Sequence, residues 1–144
     1  MAEGNGAVYN NFKADVMNAA FNLGNGEDEI KVMLVCGYTP DIDADTKYSD
    51  VSAYEATGTG YTAGGEILAN QVVAIDSGSD LASFDADNPA WSSLLLDTPT
   101  PSHAISYDNT HADKLLIAYW ELGRVTNGGD YTIQFSGDGV LTLA

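Results

Sequence analysis

The sequence predicts a mainly β protein: a single antiparallel β-sandwich, Greek-key or jelly-roll-like, preceded by a short N-terminal helix. Three observations predict it. Turn-forming residues punctuate the second half roughly every eight to twelve residues, with short apolar runs between them. The run from Ile30 to Val35 is apolar on both faces, the pattern of a central strand. Near the C-terminus, YTIQF and VLTLA flank SGDG and alternate, the clearest hairpin signal in the chain; it assigns Ile133 and either Leu141 or Leu143 to the core.

The elements follow in order. MAEGNG is small, polar and glycine-rich, so residues 1–9 read as a flexible arm and 10–144 as one domain. Phe12, Val16 and Ala19 recur at helical spacing and predict an amphipathic helix from Asn11 to Ala20. Asn10 or Asn11 would cap its start, and Gly24 would follow its end. TPDIDADTK is an acidic loop, and Ser49 opens one or two helical turns. GTGYTAGG reads as a tight turn whose glycines supply positive φ. EILANQVVAID, LASFDAD, the apolar part of NPAWSSLLL, HAISYD and KLLIAYWELG are the remaining strand candidates. HAISYD alternates only weakly; KLLIAYWELG is apolar enough to be buried.

Charge narrows the function. Five basic residues face 21 acidic ones, a formal charge of −16. Such a surface repels phosphate, which argues against direct nucleic-acid binding. No stretch is long enough to cross a bilayer, so a membrane role is not expected, and the N-terminus has no signal-peptide pattern. Cys36 is the single cysteine, which excludes an internal disulfide and a Cys-based zinc cluster within one chain. It follows an apolar run and reads as a buried, inert thiol.

Several residue groups resemble chemistry without completing it. Asp41, Asp43 and Asp45 alternate as at the start of an EF-hand loop, but Thr46 stands where glycine is required and Ser52 where glutamate is required. GTGYTAGG is followed by Glu66-Ile67 instead of the Lys-Ser/Thr of a phosphate loop. His103 and His111, with Asp108 or Asp113, lack a nucleophile elbow. Asp85 and Asp87 are a carboxylate pair of the kind expected by chance in so acidic a chain. The residues therefore predict no enzyme, no cofactor and no metal site. The aromatic residues Tyr9, Phe12, Tyr54, Tyr61 and Trp91 are candidate interface anchors, because aromatics dominate binding hot spots; core burial is the rival role for each.

Taken in order, VYNNFKADVMN, IKVMLVCGYTPDID, YSDVSAYEATGTGYTAGGEILAN, FDADNPAWSS, DKLLIAYWELG and GGDYTIQFSGDGVLTLA resemble a family of small tailed-phage and prophage proteins described as virion structural proteins. The resemblance runs from about Ala7 to Ala144. It implies a component of the virion, made in the host cytoplasm and without an assigned catalytic motif. The expected role is a capsid decoration, or cement, protein. Its expected partners are the major capsid protein and further copies of itself, for example as a trimer, with the arm and helix as docking elements. A tail-tube, terminator or neck component is the alternative within structural proteins, and a glycan-binding module of a fibre is the alternative outside them.

Overall fold

The computed structural model describes residues 4–144. In chain order the elements are β1 (Gly6–Val8), α1 (Asn10–Met17), β2 (Ile30–Val35), α2 (Tyr48–Val51), β3 (Gly58–Thr59), β4 (Glu66–Ile67), β5 (Val72–Asp76) and β6 (Leu81–Asp85). They continue as β7 (Ala90–Trp91), β8 (Leu95–Leu96), β9 (His103–Asp108), β10 (Leu116–Glu121), β11 (Tyr131–Thr132) and β12 (Leu141–Leu143). The protein is mainly β; among the described residues every strand pairing is antiparallel, and the one helix longer than a turn lies near the N-terminus.

A five-stranded sheet in the order β1-β10-β9-β2-β4 forms the larger half, and a three-stranded sheet in the order β12-β6-β5 forms the smaller. Two short ladders, β7 with β11 and β3 with β8, complete the pairing. One apolar core draws side chains from all of them, including Phe12, Met33, Phe84, Trp91, Ile105 and Trp120.

β2 is an interior strand, as its two apolar faces predict. β9 is more deeply placed than its weak alternation suggests. It lies between β2 and β10, and all of its residues are buried. Its one serine is satisfied there: Ser106 Oγ donates to the Ala118 carbonyl at 3.2 Å and accepts from the Ala118 N–H at 3.1 Å, beside a register shift in β10.

Four expectations are corrected. The expected arm is, from Gly6 to Val8, an edge strand on β10, and the Tyr9 N–H bonds the Ile117 carbonyl; residues 1–3 of that arm lie outside the described residues. Small residues suffice there because the ladder needs only backbone groups. The helix ends at Met17, before Ala20, and its N-cap is Tyr9 with no side-chain cap from either asparagine. Its end is a Schellman motif: Ala20 N–H reaches the Asp15 carbonyl, Ala19 N–H reaches the Val16 carbonyl, and Ala19 takes φ 58°.

The long candidate EILANQVVAID is broken into β4 and β5. Asn70 takes φ 56°, and Gln71 turns inward, accepting from Ile30 N–H and donating to the carbonyls of Leu23 and Asp28. Finally, YTIQF and VLTLA do not form a hairpin. The SGDG turn closes through Gly139 N–H to the Ser136 carbonyl, but the flanking segments separate. β11 pairs with β7 and β12 pairs with β6. A lone two-stranded ribbon is marginal, and each segment instead joins a strand already seated on the core. Ile133 and Leu141 are buried as expected, and Leu143 is half-buried.

Candidate docking surface

The three-stranded sheet is amphipathic, and register explains why. Val73 pairs with Phe84 and Phe84 with Leu141; Ile75 pairs with Ala82 and Ala82 with Leu143. Side chains alternate along a strand, so these six share one apolar face. Asp76, Ser83, Asp85 and Thr142 belong to the opposite, more polar face, together with Val72, Ala74 and Leu81.

The apolar face is only partly covered. Phe12 and Val16 from α1, with Phe21 and Leu23 from the segment after it, lie over Phe84 and Leu141 and leave a cleft of about 350 Å³. Toward β5 the cover ends. Val73 is 52% exposed and Ile75 is 83% exposed. All five residues of β5 are exposed, and among the described residues no strand pairs with its outer edge.

On the polar face, Asp76, Asp85 and Asp138 line a groove with Ser79, Ser83 and Thr142. Asp76 also accepts the N–H groups of Gly78 and Ser79, which closes the β5–β6 turn. The Ser79 side-chain hydrogen bond first, and then these N–H groups, hold its carboxyl below the ordinary range.

The five aromatic candidates are dispersed by the fold. Tyr9, Phe12 and Trp91 are core residues. Tyr9 packs on Tyr119, Phe12 meets Phe21 edge-on, and Trp91 lies between Tyr61 and Tyr131. Tyr61 is half-buried and held by its hydroxyl. Tyr54 alone of the five remains exposed, at 45%, stacked on Tyr38 at 4.3 Å. The residues missed by looking for aromatics are Val73 and Ile75. Their signal is in the sequence: VVAID is apolar at successive positions and carries no lysine or arginine.

The polar candidates hold loops. Glu55 accepts from the hydroxyls of Tyr48 and Tyr61 at 2.6 and 2.9 Å and from Gly64 N–H at 2.6 Å; Tyr107 donates to the Gly64 carbonyl at 2.7 Å. This clamp fixes GTGYTAGG against β2. Gly65, at φ +80°, passes so close that an added Cβ would stand 2.0 Å from the Val32 carbonyl oxygen. The expectation of glycines serving a tight turn therefore has a steric cause.

Asp45 is buried, unlike Asp41 and Asp43 of the same loop; it accepts from the Tyr38 hydroxyl and Asp41 N–H. Asp41 in turn accepts from Asp43 and Ala44 N–H. Asp108 caps Thr110 and His111 N–H, and Asp113 N–H donates to His111 Nδ1. His103 sits at the far end of β9, roughly 17 Å from Asp108 at ~3.3 Å per residue. Burial pushes its imidazole pKa down. Asp85 and Asp87 diverge: Asp85 faces the groove, while Asp87 accepts from Asn70. Cys36 is half-buried, less enclosed than expected, and burial raises its thiol pKa. Among the described residues, no group of three or more histidine, cysteine or acidic side chains is arranged to hold a metal. No described helix is long and apolar enough to cross a membrane.

No protein-family model, curated protein or solved structure matches the chain.

Proposed function

We propose that the protein is a non-catalytic structural component of a tailed-phage particle, acting as a decoration protein on the outside of the capsid shell. The family resemblance supplies the particle. The observation that carries a docking role is the uncovered apolar face of the small sheet on an otherwise acidic domain. A rigid body that binds by surface burial needs such a face, and repeated copies on a lattice raise its effective affinity. The internal use of Asp45, Glu55 and Asp108 fits the same role, because these side chains stiffen loops. The docking element is moved from the N-terminal segment to β5, since β1 and Phe12 are committed to the chain's own fold.

The test is the protein's position and copy number in purified particles, read by cryo-electron microscopy and quantitative gel. Many copies on the shell surface are expected. Location only at the tail or neck would overturn decoration and favour the tail reading. Absence from particles would overturn both.

A further inference from the structure

The outer edge of β5 differs from the way sheets ordinarily end. Exposed edges are blunted by lysine, proline, a bulge or a covering element, since free N–H and C=O groups recruit another strand. β5 has none of these devices. It pairs with β6 in unbroken register from Val72–Asp85 to Asp76–Leu81, and its residues are exposed. No lysine or arginine occurs from Glu66 to Asp85 or from Ile133 to Ala144, the stretches that contain this sheet.

The two faces beside that edge differ in chemistry. One presents Val73, which lines the apolar cleft, and Ile75; the other presents Val72, Ala74 and Asp76 at the edge, with Asp85 on β6 and Asp138 in the groove beyond. A strand added to β5 would place alternate side chains on these faces. We propose that β5 is an acceptor for an extended segment of another protein in which apolar residues alternate with lysine or arginine. The apolar residues cover Val73 and Ile75, the cations reach Asp76 and the groove carboxylates while their alkyl stems lie along Val72 and Ala74, and the backbone bonds the free edge, as in β-strand addition. A second copy of this chain fits less well. Its own β5 would bring another Asp76 to the acidic face and a second body of charge −16 alongside the first.

This inference concerns the isolated protein and does not depend on the particle assignment. The experiment measures binding of the full chain to an acetylated peptide alternating lysine with valine. Comparison peptides are a scramble of equal composition, a version with glutamate for lysine, and one with its edge-facing amides N-methylated. The alternating peptide should bind at least about tenfold more tightly than each of the others, and more weakly as salt rises. Amide exchange should slow at the β5 N–H groups that face the open edge. The double variant V73K/I75K should lose about tenfold or more in affinity; both positions are exposed, and retained thermal unfolding would show that the fold survives.

Equal binding of alternating and scrambled peptides would reduce the effect to charge attraction and overturn the proposal. So would unchanged exchange at β5, or binding that survives N-methylation. A dimer in sedimentation whose edge protection maps to β5 would assign the edge to a second copy and overturn it as well.

Discussion

β9 and β5 are strands of similar length with opposite fates. β9 reads HAISYD and is buried at every position; β5 reads VVAID and is exposed at every position. By composition the order should be reversed. The difference lies in their neighbours. β9 has a strand on each side and core on both faces, so even its serine, histidine and aspartate are enclosed. Among the described residues β5 has one neighbouring strand, and α1 stops short of covering it. Burial of a strand is thus set by its place in the ladder, and an apolar strand left at an edge is a surface available for binding.

The comparison breaks first in alkali, which acts on the buried side alone. Five tyrosines around the large sheet, Tyr9, Tyr38, Tyr48, Tyr61 and Tyr107, have raised pKa values, in each case first through burial. Neighbouring carboxylates add to this for Tyr9, Tyr38, Tyr48, Tyr61 and Tyr107. The least raised, Tyr48, is pushed up to about 12 from the ordinary value of 10.0. The unfolded chain therefore releases these protons first. Their contribution to stability is full below pH 10 and is lost as pH rises through the folded-state values. Thermal unfolding followed by circular dichroism should show a plateau up to about pH 10 and cooperative loss of the fold above it, with tyrosinate absorbance appearing in the same step. Tyrosinate forming gradually at pH 10 on any of these five residues in an intact fold, read by tyrosine-labelled NMR, would contradict the enclosure of this half.

A narrower break is Gly65→Ala. The new methyl would meet the Val32 carbonyl at 2.0 Å, on a backbone already at φ +80°. Either β2 shifts or the Glu55 clamp opens, and the cost should be about 3 kcal/mol or more. Urea unfolding checks it. Because the added methyl would press on Val32 and Met33 of β2, protection in β2 should fall, whereas exchange at β5 amides should remain as fast as before.

Much of the buried half is legible in the sequence. The apolar run of β2 marks an interior strand, and the glycines of GTGYTAGG mark a turn with special backbone demands. Pairing between distant segments is not legible. Nothing local in YTIQF selects Trp91 as the partner of Tyr131, and nothing in VLTLA selects Phe84 as the partner of Leu141. The local turn signal is correct, but non-local burial outweighs it. The candidate site is hidden for a related reason. Aromatic residues are good anchors when exposed, but Tyr9, Phe12 and Trp91 are also among the largest fillers of the core, and their bulk is used there.

The smallest expected effect sharpens the comparison by tightening the cover over the open sheet. Ala19 holds the left-handed position of the Schellman motif, where glycine is the usual residue because a Cβ is strained there. The motif turns the chain after α1 toward Phe21 and Leu23, which, with Phe12 and Val16, roof the cleft. Replacing Ala19 by glycine removes the Cβ strain but adds freedom to the unfolded chain. The two terms differ in sign, and relief of strain should exceed the entropy cost, so that Ala19→Gly gains about 0.5–1 kcal/mol in urea unfolding. The gain should appear as slower exchange at the Ala19 and Ala20 amides, which donate to Val16 and Asp15. β5 should not gain protection, because α1 and its cap do not reach its outer edge. A loss of stability in Ala19→Gly would mean that the alanine methyl makes a contact worth more than the strain it carries.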